Sequence, residues 1–523
     1  MTVSGDVREG VGAAPLRTAV MAGAGAAFPW QDLAARAMRV VWLWPALLTS
    51  LAGCYAVTRP VLWRDELASW SYASRPVPEL IAIMHHNDAS QLGYYLLLHY
   101  WIAAFGESVL AMRMLSVLAM AGAAACLTLA GRRLADARAG LLAGLVFALV
   151  PSVSRFAQEA RFYGLEVLVA TLATLLLLRA LDRPSWSRWL SYAACVAVLG
   201  YVDLVALCLL AGHVVGVVLE WWRRRDARLI RFAPAAVAGV AACAPLALVG
   251  LGQAGIQVGW LPRPGLSLHT FAFFGRDLFY STAAAAALII VAVFAWAVAW
   301  RKAAFASALA VLPVAAVWLV SQGAHSYFFP RYLLLTVGAW ALLAGVALSR
   351  LEIQVAAAAV LVFGILAAGD QEVVREAGAH NWAMYPVSGG HLYWDYAAAA
   401  GVVAGQVRPG DGIAYPGDPD RWVMTDVGTQ YYLTRDLPAS LVPREVFVSR
   451  NAAQAGTLYS KLCRHPARCL GATTRMWIVS LGHAKDPYRH LPAAQAAAMR
   501  PHYRVQLAKR VPGLTVFLLT RHP

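Results

Sequence analysis

Charged residues are scarce in this chain. Asp, Glu, Lys and Arg together make up 14% of its 523 residues, whereas hydrophobic residues make up 60% and the mean hydropathy is +0.57. A soluble globular chain carries about 25% charged residues and rarely exposes large contiguous apolar patches. The shortage of charge therefore excludes an ordinary soluble protein and indicates a chain whose surface faces lipid.

Acidic residues are fewer than basic ones, 28 against 44, which gives a formal net charge of +16. A nucleic-acid-binding protein would gather its basic residues on one polar face. Here the Arg residues stand at the ends of apolar segments instead, as the positive-inside rule expects of a membrane protein. The charge balance therefore predicts a membrane lipid environment and no nucleic-acid partner.

The chain has only seven Cys residues, and five of them fall inside apolar segments, where Cys behaves as a small buried hydrophobe. Cys463 and Cys469 differ, because they flank a polar stretch in the C-terminal region. We expect them to form a disulfide if this region lies outside the cytoplasm. Two free thiols, or metal ligands together with His465, are the alternatives.

A cleavable signal peptide is not evident. Residues 1–37 are rich in Gly and Ala with scattered Arg, and they lack the long apolar core that precedes a cleavage site. We therefore expect a poorly ordered cytoplasmic tail over 1–37.

Long hydrophobic runs, in contrast, are abundant. A spanning helix needs about 20 mostly apolar residues, and this criterion predicts about eleven spans. They fall near 38–57, 109–130, 139–155, 163–181, 189–203, 204–222, 232–251, 281–300, 303–321, 332–349 and 353–369. The stretch from Gly93 to Phe105 is too short to span, so we expect it to lie in the interface or to re-enter the membrane.

The distribution of Arg and Lys predicts the orientation, because loops rich in them alternate with loops poor in them and should share the cytoplasmic side. The loop 58–92 and the turn 155–162 are then extracytoplasmic. We expect a membrane domain over 38–369 and a soluble extracytoplasmic domain over 370–523. Short β-rich runs and Ala-rich helical stretches in 370–523 predict a compact α/β domain. The chain should be a multi-pass protein of the inner or plasma membrane with a cytoplasmic N-terminus.

The first motif is Trp63-Arg64-Asp65-Glu66, just outside the first predicted span. Two adjacent carboxylates are unusual in a chain so poor in acids. One interpretation is a solvated loop with an ion pair. The other is a general base, a carboxylate at the interface that takes the proton from an attacking hydroxyl. Ionisable groups near spanning segments are functional candidates by default.

The second motif is His85-His86-Asn87-Asp88, which leads through Ser90-Gln91-Leu92 into Gly93-Tyr94-Tyr95. Its polar, acid-bearing start runs directly into an aromatic and Leu-rich stretch. His85, His86 and Asp88 could hold a divalent metal, although adjacent His residues without a clear third ligand are a weak signal. The sequence therefore leaves a divalent metal open and indicates no other cofactor.

Two further motifs combine Arg with aromatic residues at the outer ends of spans. They are Gln158-Glu159-Ala160-Arg161-Phe162-Tyr163 and Pro330-Arg331-Tyr332. An Arg in this setting can simply snorkel to the interface. A guanidinium also offers two parallel donors to phosphate oxygens, which is what binding a phosphodiester at the membrane surface requires.

In this combination and order, the four motifs resemble those of the GT-C glycosyltransferases. The most similar branch holds the protein O-mannosyltransferases and aminoarabinose transferases, the family 39 type, with its bacterial mannosyltransferase members. The resemblance covers about 38–369. It implies an all-α polytopic domain with interfacial helices in the first outer loop, a polyprenyl-phosphate sugar donor, extracytoplasmic transfer and inversion at the anomeric carbon.

The resemblance also implies roles for single residues. Asp65 is the implied base, and Glu66 is its neighbour in the Asp-Glu motif. The residues implied to bind donor or acceptor are Arg64, Asp88, Tyr94, Tyr95, Arg161, Tyr163, Arg331 and Tyr332. The chain departs from many relatives at Ser90-Gln91-Leu92, where they have His or Pro.

The chemistry required outside the cytoplasm is consistent with these residues. An activated sugar must arrive there on a lipid, and the leaving polyprenyl phosphate needs Arg or a metal to stabilise its charge. A single displacement at the sugar inverts its configuration. The acceptor could be a cell-envelope glycan, a glycolipid or a protein.

The main alternative is a transporter or flippase of a lipid-linked or small substrate. Secondary transporters place charges or broken helices near the bilayer midplane and show repeat-related halves. In this chain the notable acids fall in outer loops, and no repeat is detectable. The sequence therefore favours a transferase.

Overall fold

A computed structural model of the chain describes residues 40–382 and 393–522. The predicted tail over 1–37 lies outside the described residues. The described residues from Val41 onward form one compact unit.

Helices dominate the chain up to residue 382. In order they are α1 (Leu43–Cys54), α2 (Arg64–Ala73), α3 (Val77–Met84), α4 (Leu92–Phe105), α5 (Val109–Leu134), α6 (Ala137–Leu149), α7 (Pro151–Ala157), α8 (Tyr163–Asp182), α9 (Trp186–Val202), α10 (Leu209–Arg224), α11 (Phe232–Ala242), α12 (Ala244–Gln257), α13 (Leu268–Phe279), α14 (Thr282–Val320), α15 (Val337–Leu348), α16 (Ile353–Val373) and α17 (Ala379–Trp382). Short 3-10 turns occur at Ala89–Gln91, Val205–Cys208, Ala227–Arg231 and Pro330–Thr336.

Every apolar run predicted from the sequence coincides with one or more of these helices. By length and composition, six helices in the described ranges can cross a membrane, or eight if each of two bent helix pairs is one span. We predicted about eleven spans because we included the short helix α1 and the 17-residue α9, and because we treated the two halves of α14 as two spans. The halves of α14 meet at Ala299, whose backbone is non-helical.

The centre of the membrane domain is built from α5, α6, α8 and α15. Short polar residues begin two of these helices, since Ser108 and Asp136 accept hydrogen bonds from the backbone N–H groups of Ala111 (3.0 Å) and Ala139 (2.8 Å). α5 packs against α6 and α8, and α15 packs against α6 and α14. α16 is mostly exposed, as expected of a helix that faces lipid.

Glycines allow the backbones of α5, α6 and α15 to approach closely. A Cβ atom on Gly140 of α6 would lie 2.2 Å from the carbonyl oxygen of Thr128 in α5. One on Gly345 of α15 would lie 2.3 Å from the carbonyl oxygen of Ala139 in α6. Small residues at such crossings are how membrane helices gain packing contact.

The first outer loop folds into α2, α3 and α4. The predicted non-spanning stretch forms α4, which packs against both of the other helices. Gln253 of α12 fixes the turn before α4, because its side chain accepts from the backbone N–H of Ala89 (2.9 Å) and donates to the carbonyl of Met84 (2.9 Å). The loop helices are therefore attached to the spanning bundle.

The C-terminal region is the predicted α/β domain. Its helices are α18 (Tyr396–Ala404), α19 (Thr425–Asp436), α20 (Ala452–Ala455), α21 (Pro466–Leu470) and α22 (Ala493–Met499), with a 3-10 turn at Asp420–Val423. Its strands are β1 (Gly412–Ala414), β2 (Arg444–Glu445), β3 (Val448–Arg450), β4 (Lys461–Leu462), β5 (Arg475–Leu481), β6 (Tyr503–Val511) and β7 (Leu514–Arg521).

The main sheet has five strands in the order β2-β1-β5-β7-β6. β1 pairs in parallel with β2 and β5, whereas β7 is antiparallel to β5 and β6. β3 and β4 form a separate antiparallel pair. Cys463 and Cys469 are joined by a disulfide.

The C-terminal domain rests on the helices of the first outer loop. The hydroxyl of Tyr431 in α19 donates to the carbonyl of Glu107 (2.7 Å), and its ring meets Trp70 of α2 edge-on at 5.0 Å. Arg75, after α2, donates to the carbonyl of Thr457 (2.8 Å). These contacts bring the C-terminal domain to the membrane face that carries the sequence motifs.

Candidate active site

Asp65 lies in the first turn of α2, where a negative charge is favoured by the helix dipole. Its Oδ2 atom accepts from Nη1 of Arg331 at 3.3 Å, and the two side chains are only 13% and 10% exposed. Arg331 belongs to the 3-10 turn Pro330–Thr336. The structure therefore joins the first and the last of the four motifs in one ion pair.

The charges around Asp65 keep it ionised. Burial alone would raise its pKa, but the guanidinium groups of Arg161, Arg331 and Arg64 outweigh burial and hold the pKa of Asp65 below its usual range. At neutral pH the side chain is a carboxylate that can accept a proton.

A cavity of about 970 Å³ opens beside this carboxylate. Its polar wall carries six of the residues that the motifs predicted, Arg64, Asp65, Asp88, Arg161, Arg331 and Tyr332. Its apolar wall includes Leu251 of α12 and Val320 of α14, which are 66% and 61% exposed at the protein surface. The cavity thus runs from a charged interior to an apolar surface suited to lipid.

The C-terminal domain supplies a third wall of the cavity, which the sequence did not predict. Met424 and the segment 456–459, with Tyr459, line it. Arg75 holds this segment through Thr457, and Arg421 donates to the carbonyl of Ser460 (2.6 Å).

Asp88 and Arg161 are linked through Tyr95 on the polar side of the cavity. The Tyr95 hydroxyl donates to Asp88 (3.2 Å) and accepts from Nη1 of Arg161 (2.9 Å). Asp88 has a left-handed backbone, with φ of 57°, a conformation that Asp tolerates better than most residues. Burial raises the pKa of Asp88 more than Arg161 lowers it.

Glu66 points away from the cavity although it follows Asp65 directly. Both its oxygens accept from Arg113, at 2.9 and 2.8 Å, and Oε1 also accepts from the backbone N–H of Ala160 (2.9 Å). The side chains of Glu66 and Arg113 are fully buried. Burial would raise the pKa of Glu66, but Arg113 and His380 hold it well below its usual range. The predicted catalytic pair is therefore divided, and only Asp65 faces the cavity.

Two buried charged residues that support the site, Arg113 and Glu159, were not among the predicted site residues. Glu159 accepts from the indole N–H of Trp63 (2.8 Å) and forms a buried ion pair with Arg155 (2.6 Å). Arg113 could have been noticed, because it is a lone charge near the start of the apolar run 109–130, and such a charge needs a buried partner.

Tyr94 and Tyr163 are buried behind the cavity and do not line it. Their hydroxyls have no hydrogen-bond partner within the described ranges. The ring of Tyr163 lies 5.8 Å from the guanidinium of Arg331, and the ring of Tyr94 lies 5.8 Å from that of Tyr95. Tyr163 therefore packs against a residue that faces the cavity, whereas Tyr94 packs against Tyr95, which is buried and does not line the cavity either. Tyr332 lines it directly.

The residues considered for a metal do not converge. His86 and Asp88 line the cavity, but His85 does not. No group of three or more His, Cys, Asp or Glu side chains in residues 40–382 and 393–522 is arranged to hold a metal ion.

Comparisons with known proteins agree with this architecture. Residues 92–248 match the model of the family described as dolichyl-phosphate-mannose-protein mannosyltransferase. The structure of ArnT from Cupriavidus metallidurans bound to undecaprenyl phosphate is similar, with a TM-score of 0.56 and 15% identity over 94% of this chain and 98% of that chain. Its apo form gives a TM-score of 0.55 and 14% identity over the same shares.

The oligosaccharyltransferase of Archaeoglobus fulgidus, in complex with Zn and sulfate, matches with a TM-score of 0.43 and 10% identity over 90% of this chain and 72% of that chain. No curated protein sequence matches significantly.

The fold thus defines a polytopic membrane protein of the GT-C type with a C-terminal α/β domain, as the sequence predicted. The family model that matches residues 92–248 is likewise described as that of a mannosyltransferase.

Proposed function

We propose that this protein transfers a sugar from a polyprenyl-phosphate donor to an acceptor hydroxyl, with inversion, in the cavity beside Asp65. The observation that carries the proposal is the buried Asp65–Arg331 ion pair, 3.3 Å long, in a cavity that reaches the exposed apolar surface of α12 and α14. The similar ArnT structure holds undecaprenyl phosphate. The description of the matched family names dolichyl-phosphate-mannose, which is a sugar on a polyprenyl-type phosphate.

The donor has a charged phosphate and an apolar prenyl chain, and these would contact the polar and the apolar wall of the cavity, respectively. Its prenyl chain would cover Leu251 and Val320, and its phosphate would meet Arg331 and Arg161. Guanidinium groups bind phosphate oxygens through charge-assisted hydrogen bonds, and they stabilise the negative charge that develops on a leaving phosphate.

Donor binding would also strengthen the base. Arg331 now helps to hold the pKa of Asp65 low. When the donor phosphate takes part of that positive charge, the pKa of Asp65 rises and the carboxylate accepts a proton more readily. The ion pair therefore couples the arrival of the donor to the activation of the acceptor.

The acceptor would enter past the wall formed by Met424 and the segment 456–459. Asp65 takes the proton of the acceptor hydroxyl, and the oxygen forms a bond to the anomeric carbon. The bond from that carbon to the phosphate oxygen breaks, and the polyprenyl phosphate leaves with the electron pair. This single displacement inverts the sugar. Glu66 and Arg113 act as positioning residues that hold α2.

The test is sugar transfer from a radiolabelled polyprenyl-phosphate sugar by membranes containing Asp65→Asn. Loss of a general base typically costs about 10²–10⁴-fold in rate, and we expect a loss in this range. The matched control is Asp277→Asn in α13, a carboxylate that pairs with Arg276 and lies outside the cavity lining. It should retain wild-type activity.

Full activity of the Asp65→Asn protein would refute the general-base role. A transporter would show no transfer in the wild-type or in either variant, which separates failure of the whole proposal from failure of the assigned base.

A further inference from the structure

A second cavity, of about 410 Å³, shares no lining residue with the cavity beside Asp65. Four arginines line it, Arg183, Arg188, Arg224 and Arg228, together with Asp182 and Asp226. α8 runs from Tyr163, next to Arg331, to Asp182 at this pocket. A 20-residue helix rises about 30 Å, so the basic pocket lies at the opposite membrane face.

The basic pocket keeps an excess of positive charge after its ion pairs are counted. Asp182 pairs with Arg133, Asp226 pairs with Arg228, and Glu220 is shared by Arg223 and Arg224. Arg183 and Arg188 take part in none of these pairs. Six guanidinium groups therefore share three carboxylates.

Backbone carbonyls hold two of the guanidinium groups in place. Arg188 donates to the carbonyl of Arg179 (2.7 Å), and Arg224 donates to the carbonyls of Leu181 and Asp182 (3.1 Å each). A carbonyl is neutral, so these bonds orient the guanidinium groups without cancelling their charge. The basic pocket is thus a preorganised anion site.

Within two positions of the pocket residues Ser185, Arg188 and Arg228, the chain exposes the apolar side chains of Trp186, Leu190 and Ile230, here called the rim. Trp186, directly after the pocket residue Ser185, is 53% exposed, and Leu190 and Ile230 are 64% and 63% exposed. The guanidinium of Arg231 lies 4.9 Å from the ring of Trp186, which links the two sides of the rim. Trp residues are enriched at the membrane–water interface, so this rim lies where headgroups meet acyl chains.

We propose that this basic pocket binds the phosphate of an anionic membrane phospholipid, whose acyl chains cover the rim at Leu190 and Ile230. Basic pockets between spanning helices are known to accept anionic headgroups. A soluble phosphate would match the guanidinium groups but would leave the apolar rim uncovered, so the rim favours a lipid. The site is separate from the catalytic cavity and does not depend on the proposed reaction.

The test uses the full-length protein in nonionic detergent, with thermal unfolding and native mass spectrometry as readouts. Phosphatidylglycerol should raise the unfolding temperature and remain bound, whereas phosphatidylcholine and sn-glycerol 3-phosphate should do neither. The double variant Arg183→Gln/Arg228→Gln should bind phosphatidylglycerol about tenfold more weakly, since it loses charge-assisted hydrogen bonds to the lipid phosphate. The control Arg225→Gln/Arg350→Gln removes the same charge outside the pocket and should bind normally.

If the double variant folds poorly, the single variant Arg183→Gln can be tested in its place, because Arg183 takes part in none of the three ion pairs. This variant should still weaken phosphatidylglycerol binding several-fold. Equal loss in the control pair would mean general surface attraction and would overturn the proposal. Equal binding of phosphatidylcholine, or equal protection by sn-glycerol 3-phosphate, would overturn the choice of an anionic lipid.

Discussion

Asp65 and Glu66 are neighbours in sequence, yet their side chains have different surroundings. Successive residues on a helix differ by about 100° in direction, so Asp65 faces the cavity while Glu66 faces Arg113 on α5. One carboxylate is available for proton transfer. The other attaches the helix that carries the first one to the spanning bundle.

Because of this difference, we expect Glu66→Gln to affect mainly the stability of the protein and Asp65→Asn to affect mainly sugar transfer. Removing one partner of a buried ion pair typically costs about 3–5 kcal/mol, because the other charge is left buried. We expect Glu66→Gln, whose pair with Arg113 is fully buried, to lower the unfolding temperature of the purified protein markedly. Asp65→Asn should lower it less, because Asp65 and Arg331 line the cavity and remain partly exposed, while it slows transfer by about 10²–10⁴-fold. Equal unfolding temperatures for wild type and Glu66→Gln would contradict the structural role of Glu66.

Glu445 in β2 predicts how stability changes with pH. The pKa of Glu445 is raised to about 7, mainly by burial and to a smaller extent by the nearby carboxylate of Asp426. An acid with a raised folded-state pKa binds more protons when folded, so stability is lost as pH rises from its unfolded value, about 4.3, to about 7. We expect Glu445→Gln to flatten the pH dependence of the unfolding temperature in this range. An unchanged slope between pH 5 and 7 would refute this.

The motifs predicted the polar wall of the cavity but not its supports. Asp65, Asp88, Arg161 and Arg331 carry charge in loops next to apolar runs, which is visible in sequence. The partner of Glu66, Arg113, lies 47 positions away, and the contact of Arg75 with Thr457 spans 382 positions. Such pairings depend on how distant segments pack, which local patterns do not encode.

At the scale of single elements, hydropathy predicted where helices lie but not the two bends that occur at prolines. The α6–α7 pair bends by 67°, and Pro151 begins α7. The bend of 56° before α12 likewise has a proline, Pro245, in the first turn. Both prolines are visible in the sequence, and a proline in the first turn marks the start of a helix. The break at Ala299 within α14 also has a local signal, because Arg301 and Lys302 separate the predicted spans 281–300 and 303–321.

The crossing of α5 and α6 predicts a test of helix packing. Gly140→Ala would place a Cβ atom 2.2 Å from the carbonyl oxygen of Thr128 and 2.8 Å from the backbone nitrogen of Arg132, so the helices must move apart. Overpacking of this kind typically costs about 1–3 kcal/mol. We expect a lower unfolding temperature for the purified protein.

The matched control for this prediction is Gly369→Ala on α16, where an added Cβ meets no atom of the described residues within 4 Å. Because Ala favours a helix over Gly by about 1 kcal/mol, this variant should be as stable as the wild type or more so. Equal effects of the two substitutions would mean that the crossing is not tightly packed.

At the scale of the whole molecule, the two cavities lie at opposite membrane faces. The C-terminal domain contacts the outer-loop helices and lines the cavity beside Asp65, so the domain and this cavity share one face. The basic pocket and its arginines lie at the other. Since basic loops remain in the cytoplasm, the C-terminal domain and the catalytic cavity should be extracytoplasmic.

This arrangement predicts the accessibility of single cysteines introduced at exposed positions. Ala453→Cys in the C-terminal domain should react with a membrane-impermeant thiol reagent in intact cells, because Ala453 is exposed on the cavity face. Ser187→Cys, exposed beside the basic pocket, should react only after lysis. The wild-type protein gives the background from its own cysteines. The reverse pattern would invert the orientation, and it would then place the lipid-linked donor on the cytoplasmic side, where the need for a lipid carrier disappears.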